Sequence, residues 1–236
     1  MIKKNLLYKG KTKLIYSCQD KTQVLIEYRD DITAFNGKKK LILKGKGRIN
    51  NHFNAYMMKI LESYGIKTHF IKQVDDHLSL MKKLKIIPVE CVMRNFSAGQ
   101  ICRSLGIEKG IFFNIPIFEY FLKNDTLGDP MVNRSHIFSF QWATKEELNV
   151  MEAESARINK ILRRFFYDLG FILVDFKLEF GRYKDTVILG DEFTLDSCRL
   201  WDKATQESFD KDRFRQDLGE MMGHYKAVAE RIGLVL

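Results

Sequence analysis

The residues best suited to chemistry lie between Leu173 and Asp202, in LVDFKLEFGRYKDTVILGDEFTLDSCRLWD. In LVDFKLEF the side chains alternate, so a strand here puts Asp175, Lys177 and Glu179 on one face and Val174, Phe176, Leu178 and Phe180 on the other. One face is core; the other is a line of charges. A second apolar run, TVILG, follows the turn-like GRYKD and brings Asp191 and Glu192 to its end, as the return strand of a hairpin would. Carboxylates on neighbouring strands repel unless a cation lies between them. Asp and Glu oxygens with no His or Cys beside them suit a hard ion such as magnesium. The pattern points to a metal and phosphate site.

Other elements must hold this segment. NLLYKGKTKLIYSC has two apolar runs flanking Lys9-Gly10-Lys11-Thr12-Lys13, and TQVLIEYRD is a third β-rich run, so the chain opens with a small sheet. A glycine turn rimmed by lysines can cover phosphates, but one glycine is weaker evidence than a full phosphate-loop pattern, and an ordinary hairpin reads as well. The basic stretch DDITAFNGKKKLILKGKGRINN is expected as a mobile loop leading into a helix, either a nucleic-acid arm or a flap over phosphates. From Ile49 to Tyr64 the apolar residues recur at helical spacing, with Gly65 placed to end the helix.

KTHFIKQVDD and HLSLMKKLKIIPVECVMRNF supply further strands, with Pro88 expected to interrupt. Arg94 at a strand end, followed by Asn-Phe-Ser-Ala-Gly, could present a guanidinium and a loop to an anion, or form a surface ion pair with Glu90. Pro116 to Asp129 reads as an aromatic helical turn and a polar loop. Thr144-Lys-Glu-Glu147 reads as a capping box opening a long helix that ends at Gly170, and a last helix is expected from about Asp210 to Gly233, with Arg213 and Arg215 in its first turns.

The 236 residues, 45% hydrophobic, suffice for a substantial core in one or two domains. There is no repeat or low-complexity linker, and the division expected is a β-rich lobe over 1–80 and a larger lobe over 81–236. Lys and Arg number 39 against 30 Asp and Glu, a net +9 that suits nucleic acid, anionic membrane or anionic metabolites equally. Scattered lysines such as Lys3, Lys4, Lys67 and Lys72 read as solvated surface. Cys18, Cys91, Cys102 and Cys198 form no metal-ligand spacing, and no apolar run approaches membrane-spanning length, so a reduced cytoplasmic protein is expected.

Six stretches narrow the choice: YKGKTK (8–13), IPVECVMRN (87–95), FLKNDTLGDPM (121–131), LVDFKLEFG (173–181), GDEFTLDSCRLWD (190–202) and DKDRFRQ (210–216). In these, and in this order, the chain from Leu7 onward resembles the SAICAR synthetase family. The resemblance implies an α+β fold related to ATP-grasp and kinase-like architectures, with ATP between a small N-terminal β lobe and a larger α+β lobe. It implies an ATP- and magnesium-dependent ligase joining the carboxylate of 5-amino-1-(5-phosphoribosyl)imidazole-4-carboxylate to the amine of L-aspartate, working as a homodimer and needing neither nucleic acid nor membrane.

Carried over residue by residue, the resemblance implies Glu179 and Asp191 on the metal, and Gly10, Lys11, Lys13 and Lys123 at the ATP phosphates. It further implies Arg94, Gly99, Gln100 and Arg199 at the imidazole nucleotide. From the residues themselves we expect Lys177 to face the reacting carboxylate, Asp175 to orient it and Arg215 to hold an anionic group. The chain departs from the family at Gln100, where Ser is usual, at Leu195 and Cys198, where Pro and Ser are typical, and at Asn36, often acidic. None of these removes a metal ligand or a principal cation, so an active enzyme is expected.

Two other readings compete on the residues alone. A nucleic-acid module would use the net charge and the basic 38–48 stretch and would bind with steep salt dependence. It lacks an aromatic RNA-binding pattern, helix-turn-helix spacing or a zinc motif, and leaves the carboxylate pair unexplained. A different ATP-dependent carboxylate–amine ligase, or a kinase-like phosphotransferase, would keep the same site and change the acceptor.

Overall fold

The computed structural model describes residues 5–35 and 37–234; Lys3, Lys4 and Asn36, noted above, lie outside them. The three N-terminal runs form β1 (Leu6–Lys9), β2 (Lys13–Ser17) and β3 (Gln23–Tyr28). The polar stretch that follows is not a loop but a hairpin, β4 (Asp31–Ala34) with β5 (Lys39–Ile42), paired from Asp31↔Ile42 to Ala34↔Lys39. Short β runs interrupted by glycine and lysine hid the alternation. Lys39 ties the hairpin to the far end of the chain, donating to the Phe214 carbonyl at 2.6 Å.

Helix α1 (Lys46–Ser63) begins one turn earlier than its apolar spacing suggests, and is followed by β6 (Phe70–Gln73), β7 (Leu78–Lys82) and the long β8 (Lys85–Phe96). The interruption expected at Pro88 does not occur. Pairing between β8 and its neighbour slips between Glu90 and Ile86, so a residue without an N–H sits at an irregularity where no ladder donor is missed. Next come α2 (Gln100–Leu105) and β9 (Phe112–Leu122). The aromatic helical turn expected from Pro116 is therefore wrong: pairing with β8 overrides a local spacing that also fits a helix.

A 3-10 turn (Asp125–Leu127), β10 (Met131–Val132) and α3 (Arg134–Ser139) lead to α4 (Lys145–Asp168), whose Thr144/Glu147 capping box is present as read. The site segment is β11 (Phe171–Tyr183), β12 (Thr186–Gly190) and β13 (Cys198–Asp202). The turn is narrower than GRYKD, because β11 runs on through Tyr183 and pairs Tyr183↔Thr186. The single C-terminal helix expected is two, α5 (Asp212–Arg215) and α6 (Met221–Arg231). Asp217, Gly219 and Glu220 take positive φ between them, and the Arg213 guanidinium donates to the Leu218 and Gly219 carbonyls at 2.9 Å, satisfying the break.

Besides the β4–β5 hairpin, the described strands form two antiparallel sheets. The first runs β1-β2-β3-β7-β6; the second runs β10-β9-β8-β11-β12, with β13 pairing the N-terminal half of β11. One hydrophobic cluster spans both sheets and the helices. Its centre is aromatic: Phe53 of α1 stacks on Phe166 of α4 at 6.5 Å and on Phe193 at 6.3 Å, and Phe176 of β11 meets Phe193 edge-on at 5.8 Å. Burying a side chain such as Phe193 stabilises the fold by about 1.5–3 kcal/mol. It also fixes the loop after Asp191. Among the described residues, no helix is long and apolar enough to cross a membrane.

Candidate active site

Strand β11 is the spine of the site because it is paired along both edges. Its charged face meets β8 on one side, with Asp175 opposite Arg94 and Glu179 opposite Glu90. On the other side Asp175 lies opposite Arg199 of β13, and Glu179 opposite Gly190 of β12. The alternation read from LVDFKLEF is thus preserved, but its charged face is enclosed: Asp175 is 3% and Glu179 2% exposed. Buried charges of this kind persist only when paired.

At the Glu179 end the pairing is by lysines. Lys177 Nζ donates to Glu90 at 2.9 Å and to Glu179, and lies 3.6 Å from Asp191. Lys123, beyond the end of β9, donates to Glu179 at 2.8 Å. Lys13, at the start of β2, pairs with Asp191 and lies 3.4 Å from Glu192. Glu90 and Glu179 would repel across neighbouring strands were Lys177 not bonded to both. Asp191 takes a left-handed φ of 53°, a conformation Asp tolerates better than most residues, immediately after the hairpin strand ends.

The electrostatics split the two principal carboxylates. Burial pushes the Glu179 carboxyl above its ordinary range, and the Asp191 charge adds to this against the opposing pull of Lys177 and Lys123. Burial also opposes ionisation of Asp191, but Lys13, Lys177 and Lys123 together outweigh it and hold that carboxyl well below its ordinary range. The two carboxyls are thus pushed in opposite directions. Burial disfavours the Lys13 and Lys177 ammonium forms, yet the surrounding carboxylates raise both above the usual lysine range, so both stay charged at neutral pH.

At the other end of β11 the pairing is by guanidinium groups. Arg94 donates to Asp175 at 2.8 Å and to Glu119; Arg199 donates to both Asp175 oxygens, at 3.0 and 2.8 Å, and to Asp212 at 2.8 Å; Arg215 pairs with Asp212. Arg94 is neither at a strand end nor paired with Glu90, as expected from its sequence; β8 runs on to Phe96, and its register gives Arg94 to Asp175. Gly99 has φ 68° and ψ −122°, and a Cβ there would stand 2.4 Å from Arg199 Nη2. Only glycine fits. In Gly99→Ala, Arg199 must move, and we expect the KM for an anionic substrate held by it to rise about tenfold, the equivalent of one lost charged hydrogen bond. Unchanged kinetics for every substrate would show that Arg199 is not held by this contact.

A third group anchors the loop between Asp191 and Arg199. Asp196 pairs with the fully buried Lys46 at 2.7 Å and accepts from Asn50 and the Tyr225 hydroxyl, both at 2.9 Å, while Asn54 accepts from the Phe193 N–H at 3.0 Å. Leu195 and Cys198, the two departures in this loop, are both buried. Asp210 accepts from the Leu200 and Asp212 N–H groups, tying β13 to α5; burial and the charge of Asp212 raise its carboxyl to about 7.

Of the residues singled out by sequence, Lys13, Lys123, Lys177, Glu179 and Asp191 meet in one cluster, and Arg94, Asp175, Gly99, Arg199 and Arg215 in the adjoining one. Gly10 shapes the turn before Lys13, its N–H donating to the Lys13 carbonyl at 2.9 Å. Lys11 bonds Asp125 at 2.8 Å at the exposed rim, and Gln100 opens α2 with its side chain exposed. Glu90, Glu119, Asp212, Lys46, Asp196 and Tyr225 were missed. Their role depends on strand register and helix packing, although Asp212 stood in the DKDRFRQ motif. A separate groove of about 870 Å³ between β9 and α4, lined by Met93, Ile115, Phe118 and Tyr167 among others, contains none of the residues singled out.

The same fold and sequence recur in known proteins. A model of the SAICAR synthetase family matches residues 6–232. The chain is 50% identical, over the full length of both, to the phosphoribosylaminoimidazole-succinocarboxamide synthase of Pseudomonas aeruginosa (strain LESB58), and 51% identical over the full length of both to that of Alteromonas mediterranea. The crystal structure of the corresponding synthase from Ehrlichia chaffeensis superposes with a TM-score of 0.96 at 42% identity, covering 98% of this chain and all of that one. A SAICAR synthetase in complex with ADP superposes with a TM-score of 0.93 at 40% identity, covering 96% of this chain and 97% of that one. Paired charged clusters on one enclosed strand, a matching family model and full-length relatives lead to one conclusion: the chain belongs to the SAICAR synthetase family and has that family's ligase activity in purine biosynthesis.

Proposed function

We propose that the two clusters divide the substrates between them, and that the chain joins the carboxylate of 5-amino-1-(5-phosphoribosyl)imidazole-4-carboxylate to the amine of L-aspartate with ATP. The observation that carries this reading is the meeting of Lys13, Lys123 and Lys177 around Glu179 and Asp191, beside the Arg94–Asp175–Arg199 chain on the same strand, β11. The turn at Gly10, with Lys11, Lys13 and Lys123, takes the ATP phosphates. Arg94, Gly99, Gln100, Arg199 and Arg215 take the anionic groups of the imidazole nucleotide. Lys177 stands between the two and holds the reacting carboxylate, which Asp175 helps orient through the guanidinium groups.

A carboxylate is a poor acyl electrophile, so it must be activated. One of its oxygens attacks the terminal phosphorus of ATP, the bond from that phosphorus to the bridging oxygen breaks, and ADP leaves. The amine nitrogen then attacks the acyl carbon, the carbon–oxygen bond to phosphate breaks, and the nitrogen sheds a proton to leave an amide. Lys13, Lys123 and Lys177 hold positive charge where negative charge gathers on the transferring group.

Magnesium fits this donor set. Glu179 and Asp191 offer only oxygen, and among the described residues the buried Glu192 Oε2 beside Lys13 has no hydrogen-bond partner. When bound, the ion would neutralise phosphate charge beside those carboxylates. We further propose a cytoplasmic homodimer, consistent with four free cysteines. The two lobes would divide near Met81, where the first sheet ends at Lys82 and the second begins at Lys85.

Purified protein supplied with ATP, magnesium, the imidazole carboxylate nucleotide and L-aspartate should release ADP and phosphate together. ADP release that continues at full rate without the nucleotide or without aspartate would sink the assignment.

A further inference from the structure

Three strand pairings lose register around Arg94 and Asp175. The pairing of β8 with β11 ends at Arg94↔Asp175. That of β8 with β9 passes from Arg94↔Ile117 to Phe96↔Phe112, so Asn95 alone stands where β9 has Phe113, Asn114, Ile115 and Pro116. The pairing of β11 with β13 skips Val174, between Leu173↔Leu200 and Asp175↔Arg199. Arg94 thus lies at the edge of regular pairing on both sides, where the backbone ladder no longer fixes the strand. A side chain does this instead. Asn95 Nδ2 donates to the Leu173 carbonyl at 3.1 Å and to Asn159 Oδ1 of α4 at 2.9 Å, and Asn159 Nδ2 donates back to Asn95 Oδ1 at 2.9 Å. Both amides are buried.

Period-two alternation sends neighbouring side chains of β8 to opposite faces, Arg94 to Asp175 and Asn95 to α4. Apart from Asn159 and Ser155, the buried face of α4 is apolar, made of Leu148, Met151, Ile158, Leu162 and Phe166. An apolar interface tolerates small slips, whereas a reciprocal amide pair closes in one register only. The Leu173 carbonyl, which can only accept, also fixes which way round the Asn95 amide lies. Two amides add little stability there beyond what apolar side chains of their size would give, but they specify position. On the reading above that Arg94 takes an anionic group of the imidazole nucleotide, the geometry points to Asn159 as a positioning residue for that substrate: through Asn95 it holds the end of β8 and with it the aim of the Arg94 guanidinium. Asn159 itself lines the groove between β9 and α4, away from both charged clusters.

Asn159→Ser tests this, because water entering from the groove can satisfy Asn95 and spare the fold but cannot fix its position. In steady-state kinetics the KM for the imidazole nucleotide should rise about tenfold, the worth of one charge-assisted contact. The KM values for ATP and L-aspartate, and kcat at saturation, should stay within about twofold. In an Arg94→Lys background, where the guanidinium is already gone, adding Asn159→Ser should change the nucleotide KM less than about twofold. Asn159→Leu, which keeps the volume, gives the same comparison independently of any cavity. A nucleotide KM unchanged in both folded variants, an equal rise for ATP, or the full rise persisting in the Arg94→Lys background overturns the proposal; the last two are what a general loosening of the sheet would give. Arg94→Lys by itself separates this inference from the reading on which it rests. A nucleotide KM unchanged in that variant sinks the assignment of Arg94 and this proposal with it, whereas a rise there without one in the Asn159 variants sinks this proposal alone.

Discussion

Asp191→Asn is expected to lower kcat/KM for the ligase reaction about 10³-fold, the scale seen when one preorganised charged group at a transferring centre is lost. Asp191 pairs with Lys13, and Lys13, Lys177 and Lys123 together hold its carboxyl well below its ordinary range, while burial and the Asp191 charge push Glu179 up. Asparagine has nearly the same shape, so Phe193 and the aromatic cluster that anchor the loop should be undisturbed. The loss should therefore appear in ADP release by a folded protein, well beyond any fall in melting temperature from the lost Lys13 pair. Glu179→Gln should lower turnover similarly, since it removes the buried negative charge that Lys123 and Lys177 share. Retention of more than about a tenth of wild-type turnover in Asp191→Asn, well short of the loss one such group accounts for, would place the reacting centre elsewhere.

Asp175→Asn should have the largest effect on stability. Its carboxylate is nearly inaccessible and lies between two guanidinium groups, Arg94 at 2.8 Å and Arg199 at 2.8 Å. Removing one member of a buried ion network leaves the others uncompensated and costs about 3–5 kcal/mol. Among the described carboxylates, Arg94 would keep Glu119 and Arg199 would keep Asp212. Urea unfolding of the variant measures the cost directly; a loss below about 1 kcal/mol, the size of an ordinary neutral hydrogen bond, would mean that Glu119 and Asp212 suffice to balance both guanidinium groups. Because Asp175 also sets the position of Arg199, binding of the anionic nucleotide should weaken in the same variant.

Much of the site's composition was legible in the chain. A period of two placed Asp175, Lys177 and Glu179 on one face, and a hairpin signal brought Asp191 to Glu179, because both are local properties of strands and turns. The capping box at Thr144 was legible for the same reason. The 31–42 hairpin, the strand from Phe112 to Leu122 and the break between α5 and α6 were not. In the first two a distant partner decides the conformation, Phe214 and Asp217 for the hairpin and β8 for the strand; in the third the Arg213 guanidinium satisfies nearby carbonyls at a break that apolar spacing does not signal.

The sequence by itself determined which groups do chemistry here, and which family they belong to, since residue types and short spacings survive without knowledge of the fold. Only the tertiary structure decided who neutralises whom. Arg94 could not be assigned to Asp175 and Glu119 rather than Glu90 until β8 was in register with both β11 and β9. Lys46, Asp196 and Tyr225 come from three elements that only packing unites. Ion pairs act over a few ångströms while their members can stand 178 residues apart, as Lys13 and Asp191 do, so pairing is a property of the folded chain.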